Sequence, residues 1–280
     1  MRILAIESSG LTASAAVLEE DLLKAEFTVS NKLTHSETLL PMIREMLEIS
    51  GIRPESVDAV AVSAGPGSFT GLRIGAATAK GLALALNRPV ISVSALQAMS
   101  GGLSILSDAV VCPVMDARRG QVYCAAYRCG ASVIPEGARD IREYLEELGG
   151  LEGAEDAEFV FIGDGVPVHS ETITALLDRD VVFAGAQFNR QRAAGVAELG
   201  ALIYRNWLCR NGLTAEQVSE TGADSIHCFD GAVMNSDDFV PQYLRQTQAE
   251  REMQAGLLED PGQHSLKKMQ DKRPSGKRNE

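Results

Sequence analysis

The chain has 280 residues, 45% of them hydrophobic, with a formal net charge of -12; that length feeds two modest cores, and the acidic balance excludes a broad phosphate-gripping face. Five cysteines (Cys112, Cys124, Cys129, Cys209 and Cys228) form an odd set with no CxxC pair, which argues against a disulfide framework or zinc ribbon and for reduced thiols. MRILAIESS enters a strand pattern without a leader and no apolar run is long enough for a bilayer, so a cytoplasmic protein with no membrane contact is expected.

Residues 2–8, 14–18 and 22–30 are apolar runs separated by Ser9-Gly10-Leu11-Thr12 and Glu20-Asp21, the pattern of a three-strand meander. Thr34 starts a helix: Glu37 stands at capping-box spacing, Leu39, Leu40, Ile43, Met46 and Leu47 recur at helical period, and Gly51 ends it. Residues 58–65 read as a buried strand, 66–70 as a loop, 71–87 as a helix closed by Asn87-Arg88-Pro89, and 90–93 as another strand. Three strands, helix, strand, helix, strand is the order of a ribonuclease H-like domain.

The second half begins alike, with a strand at 110–115, a turn at Asp116-Ala117-Arg118-Arg119-Gly120 and a returning strand at 121–128. A helix near 141–148, a strand at 158–162 ending in Gly163-Asp164-Gly165, and a helix over 193–209 follow. No repeat is visible as identity, so the duplication rests on element order. The expected architecture is α/β, two ribonuclease H-like or actin-like domains, each a mixed sheet flanked by helices. The expected bounds are 1–108 for the first domain, 109–253 for a smaller, degenerate second domain, and 254–280 for a basic tail. Residues 263–280 carry six basic against two acidic residues, with few large apolar ones, a composition that predicts disorder.

Gly65-Pro66-Gly67-Ser68-Phe69-Thr70-Gly71 joins a strand to a helix, where an anion could meet backbone N–H groups. It lacks the Gly-Lys-Ser/Thr of a Walker loop, and Thr70 stands where GxGxxG needs its third glycine, so a tight turn explains the glycines as well. The following helix carries Gly71, Gly75, Ala79 and Ala83 on one face and large apolar residues elsewhere, so it is either enclosed or shared with a partner. His35, His169, His227 and His264 have no metal-site spacing, and Ser68 lacks the second glycine of a nucleophile elbow. Glu7, Ser8, Ser9 and Thr12 lie on the first hairpin, where actin-like ATPases hold a phosphate; a turn or salt-bridge role is the alternative.

Taken together, ILAIESS at 3–9, HSETLLP at 35–41, GPGSFTGLRIG at 65–75, MDARRGQVY at 115–123 and PQYLR at 241–245 resemble the TsaB (YeaZ) family, in the glycoprotease-like branch of the actin-like superfamily. The resemblance spans residues 1–253. It implies an accessory subunit with no catalytic residues. The related catalytic subunit, TsaD, holds a metal on two histidines of the helix after the fifth strand, and those positions fall on Ala95 and Met99, which cannot replace histidine on a hard or borderline ion. No metal and no cofactor are expected, with residual nucleotide binding at the vestigial Glu7, Ser8, Ser9 and Thr12 left open.

The resemblance also implies pairing through the helices at 34–50 and 71–87, with His35, Leu39, Ile43, Arg73, Ala76 and Lys80 near the contacts. TsaD is the implied partner, with TsaE as a visiting ATPase, a homodimer when TsaD is missing, and tRNA met only within the complex. The complex moves threonylcarbamoyl to N6 of adenosine 37 in tRNAs reading ANN codons. The competing expectation is a stand-alone ATP- or metal-dependent transferase or peptidase, resting on Glu7 and the glycine loop.

Overall fold

Strands β1 (Arg2–Glu7), β2 (Ala13–Glu19) and β3 (Leu22–Val29) form the antiparallel meander. Helix α1 (His35–Ile49), strand β4 (Ala59–Gly65), helix α2 (Phe69–Leu86) and strand β5 (Val90–Ser94) follow. The description comes from a computed structural model and covers residues 1–30, 34–103, 106 and 108–245. The basic tail expected at 254–280 lies outside the described residues.

Parallel pairing of β1 with β4 and of β4 with β5 gives the sheet order β5-β4-β1-β2-β3. Beyond the short helix α3 (Ala95–Gly101), strands β6 (Ala109–Asp116), β7 (Gln121–Arg128) and β8 (Ala131–Asp140) make a second antiparallel meander. Helix α4 (Ile141–Gly149), strand β9 (Glu158–Ile162), helix α5 (Val166–Leu176) and strand β10 (Val181–Phe183) complete the second sheet, in the order β10-β9-β6-β7-β8. The two orders and strand directions correspond one for one. The duplication that identity hides is therefore present in the pairing, and the fold is a double ribonuclease H-like, actin-like one. No helix among the described residues is long and apolar enough to cross a membrane.

The central strand β1 is buried on both faces, which is why it reads as a continuous apolar run. Leu4 and Ile6 meet α1 and α2 on one side; Ile3 and Ala5 meet helix α6 (Ala193–Asn211) on the other. Helix α6 buries Ala193, Val196, Ala197, Gly200, Tyr204 and Trp207 at helical spacing. It sits late in the sequence yet covers the first sheet. Strand β11 (Val233–Met234), after helix α7 (Ala215–Thr221), likewise returns to pair with β5. Helix α3 packs its Ala95 and Leu96 on Met115, Ala125 and Tyr127 of the second sheet.

Two elements, β8 and α5, have no clear period in the sequence. Pro135 and Gly137 interrupt the alternation of β8, and its pairing with β7 shifts register twice. Its hairpin turns on Cys129 and Gly130, at φ 50° and 76°, the left-handed pair of a two-residue turn. Helix α5 starts at Val166-Pro167 directly after Gly163-Asp164-Gly165, so the turn residues mask its beginning.

Candidate functional site

The first hairpin is closed. Glu7, Ser8, Ser9 and Thr12 are all 1% exposed or less. Ser9 N–H donates to Glu7 Oε1 at 2.5 Å, Ser68 N–H donates to the Ser9 carbonyl at 2.7 Å, and His35 Nε2 lies 3.0 Å from the Gly10 carbonyl. Thr12 Oγ1 donates to the Gln191 carbonyl at 3.0 Å. The Gln191 side chain fills the turn itself: a Cβ on Gly10 would lie 2.1 Å from Gln191 Oε1. Gln191 thus takes up the space beside Gly10, and the Ser9 N–H is spent on Glu7.

The end of the second sheet adds more acid. Asp164, after β9, accepts Gln191 Nε2 at 3.2 Å and Asp116 N–H at 3.3 Å on one oxygen. Burial pushes the Glu7 carboxyl above its ordinary range against the opposing hydrogen bonds from Ser9 and Ser63, and the charge of Asp164 adds to the rise. Burial likewise raises Asp164, against its bonds from Gln191 and Asp116. His169, 7% exposed, has its Nε2 3.9 Å from Asp116 Oδ1, beyond hydrogen-bond reach.

Helix α3 sits at the junction of the two halves. Ser94 caps it, accepting the Gln97 N–H at 3.1 Å. Ala95 and Met99, one turn apart, both pack into the apolar cluster with Met115. Burial raises the thiols of Cys112 and of Cys124, the latter to about 11, so neither is a nucleophile at neutral pH.

The two helices expected to carry the interface show which of their faces is free. The small stripe of α2 turns inward: a Cβ on Gly71 would lie 2.1 Å from the Ser8 carbonyl, and one on Gly75 2.2 Å from Ser8 Oγ. What lies close to it is therefore Ser8, the residue directly after β1 of its own sheet. Leu39, Ile43 and Ala76 are core residues, 1%, 1% and 6% exposed, packed against Leu4, Ile6 and Val62. Their side chains face the first sheet and not the solvent, since an apolar period marks the buried side of a helix first.

His35, Arg73 and Lys80 are engaged within the chain. Arg73 stacks on Phe69 at 3.8 Å and reaches Tyr243 Oη at 3.4 Å, while Phe69 and Tyr243 pack at 4.7 Å. Lys80 Nζ donates to the carbonyls of Asp237 and Phe239 at 3.1 and 3.2 Å. The late segment 237–243 thus straps one flank of α2, pinned by Phe239 in the core and by Gln242 N–H on the Ala64 carbonyl at 2.7 Å. The outward surface includes Thr70, Ala77, Gly81, Leu84 and Ala85 on α2, and Leu40, Pro41, Arg44 and Ile49 on α1. Leu40 and Leu84 are 53% and 61% exposed.

A family model described as TsaD: tRNA N6-adenosine threonylcarbamoyltransferase matches residues 28–252. The tRNA threonylcarbamoyladenosine biosynthesis protein TsaB of Bacillus subtilis is 32% identical over 204 residues, covering 71% of this chain and 87% of that protein. The chain belongs to the TsaB (YeaZ) family. TsaB of Escherichia coli is 34% identical over 174 residues, 59% of this chain and 72% of its own. Among solved structures, YeaZ from Pseudomonas aeruginosa superposes with a TM-score of 0.61 at 26% identity, covering 77% of this chain and 96% of its own. A second, described as an uncharacterized protein with similarity to peptidase YEAZ from the same organism, has a TM-score of 0.66 at 25% identity, covering 87% and 99%.

TsaB membership agrees with the motifs at 3–9, 35–41, 65–75, 115–123 and 241–245. The residue that sequence reasoning missed is Gln191. No motif surrounds it, and it meets Thr12 from 179 positions away. Its only local signal is an uncharged polar residue two positions before the apolar start of α6.

Proposed function

We propose that this chain is the non-catalytic actin-like subunit of the machinery that forms threonylcarbamoyladenosine in tRNA, where it binds and supports the catalytic subunit TsaD. The observation that carries the reading is the filled first hairpin: Gln191 occupies the turn where an actin-like ATPase receives phosphate. Ala95 and Met99 support it from a second side, since the positions that align with metal-holding histidines sit in an apolar cluster. In this reading TsaD supplies the metal and the transfer of threonylcarbamoyl to N6 of adenosine 37, TsaE visits as the ATPase, and tRNA is met only in the assembly.

The partner face is the outward side of α1 and α2, with Leu84, Leu40, Ala77 and Gly81 at its surface. Small residues there let a second helix approach closely, and the exposed leucines supply apolar area. Two substitutions separate this face from the core beneath it. Leu84→Asp is expected to abolish co-purification with TsaD while leaving the thermal melt unchanged. Ile43→Asp buries an unpaired charge and costs about 3–5 kcal/mol, so it loses the fold itself. Undiminished complex formation by folded Leu84→Asp would sink the assignment.

A stand-alone transferase or peptidase is the second reading, favoured by the carboxylates of Glu7, Asp116 and Asp164 near one another. Purified chain assayed for ATP hydrolysis and tRNA modification without TsaD decides between the two. Activity that disappears in Glu7→Ala would favour the enzyme.

A further inference from the structure

In each sheet the outer strands, β5 and β3 in the first and β10 and β8 in the second, carry outward N–H and C=O groups. Such groups pair with another chain unless the fold covers or spoils the edge. Strand β5 is covered by β11, which runs antiparallel to it, with Ser92 N–H donating to the Ala232 carbonyl at 2.9 Å. Strand β3 carries Lys24 and Glu26 and shifts register against β2. Strand β8 contains Pro135 and shifts register twice. The remaining edge, β10, is the counterpart of β5 in the second sheet, and no strand covers it among the described residues. Its residues, Val181, Val182 and Phe183, include no charge, proline or register shift. Val182 and Phe183 are 39% and 37% exposed.

The ladder with β9 shows which groups of β10 are unused. Phe159 N–H donates to the Asp180 carbonyl at 2.7 Å and Ala184 N–H to the Phe161 carbonyl at 3.1 Å, so Asp180, Val182 and Ala184 turn their backbone groups to β9. By alternation Val181 and Phe183 turn theirs away, where no described residue meets them. That spacing is self-complementary: in an antiparallel pair centred on Val182, Val181 of each copy exchanges N–H and C=O with Phe183 of the other. The same register sets Asp180 against Ala184 and Arg179 against Gly185, so no charge faces its like. Val181 and Phe183 point to the α4–α5 side of the sheet, Phe183 packing 6.2 Å from Phe161, so a β-branched side chain meets an aromatic one across the seam. On that side a groove of about 540 Å³ is lined by Ser170, Glu171, Thr174, Ala175 and Phe183. Ser170, Thr174 and Ala175 are short enough for a second α5 to come close. We propose that two copies of this chain pair antiparallel along β10 about a twofold axis at Val182, joining their second sheets into one. So short a strand falls below the area of a standard interface, so α5 supplies the rest and the dimer is reversible. The face assigned to TsaD lies on α1 and α2 over the first sheet, so this inference stands independently of that reading.

The test is sedimentation equilibrium of the full chain over a concentration series, where the mass is expected to climb from the monomer toward twice that value. Val182→Lys and Val182→Glu each set like charges face to face at the axis and weaken association by more than about tenfold. Mixing the two variants restores the dimer, because a lysine then faces a glutamate, a rescue that a folding defect would not give. If either variant does not fold, Val181→Pro removes an outward N–H, leaves the ladder with β9 intact and weakens association several-fold. Leu84→Asp leaves the dimer unchanged. The proposal is overturned by a chain that stays monomeric at millimolar concentration, by undiminished association of folded Val182→Lys, or by failure of the mixed variants to associate. It is also overturned by a dimer that Leu84→Asp dissolves and the Val182 variants do not, which would put the contact on α1 and α2.

Discussion

The two strand-end hairpins, Glu7 to Thr12 in the first half and Asp116 to Gly120 in the second, occupy equivalent places in equivalent sheets, yet only one is sealed. In the first, the carboxyl, both serines and the threonine are buried beneath Gln191, Ser68 and His35. In the second, Arg118, Arg119 and Gly120 are exposed and run at φ 63°, 60° and 75°. A shared sheet order thus fixes where a phosphate-type turn stands and leaves its accessibility to whatever packs over it. Residues far away in the chain close the first turn, while Arg118, Arg119 and Gly120 of the second stay exposed.

Loading the closed turn should produce the largest change. Gly71→Ala sets a Cβ 2.1 Å from the Ser8 carbonyl, a backbone atom that cannot swing aside. Overpacking of this kind costs about 1–3 kcal/mol, and a denaturant titration should find a loss near the upper end. Next, Gln191→Ala leaves half-buried Asp164 without its amide donor, for about 1–3 kcal/mol by the same measurement. A melt matching wild type would mean that Gln191 does not hold the turn shut.

The buried carboxyl also makes the closed turn sensitive to pH. Glu7 is raised from 4.5 by burial, so the folded chain holds a proton that the unfolded chain releases. Its contribution to stability is fully present below the unfolded value and is lost as pH rises through the higher folded value; Asp164 shifts in the same direction. Melting temperatures should therefore fall as pH climbs above the ordinary carboxylate range, and Glu7→Gln should flatten that slope. An unchanged slope would remove Glu7 as its source. At the open turn, Arg119→Ala touches an exposed side chain and should leave stability within about 0.5 kcal/mol of wild type. A larger loss there would show the second turn to be held by contacts as firmly as the first.

Where local chemistry was strong, the sequence was legible. Thr34 does cap α1, its N–H and hydroxyl bonding Glu37 at 3.0 and 2.8 Å, and β9 spans the residues its apolar run marked. Strand β8 was hidden because Pro135 and Gly137 erase the alternation that reveals a strand. The facing of α1 and α2 was only half legible: both helices stood out as apolar, but Leu39, Ile43 and Ala76 belong to their inner faces. Arg73 and Lys80 carry no local mark of the strap from 237–243 that engages them.

What the sequence determined by itself is the capped and periodic elements, their order and the family, because caps, turns and apolar periods act over a few residues and leave their spacing in the chain. The facing of α2 was settled only by tertiary structure, since a helix apolar on nearly every side has no period to say which side is inside. The sealing of the first hairpin is also tertiary, for it depends on Gln191 meeting Thr12 across 179 residues, a contact that exists only once α6 has packed on the sheet.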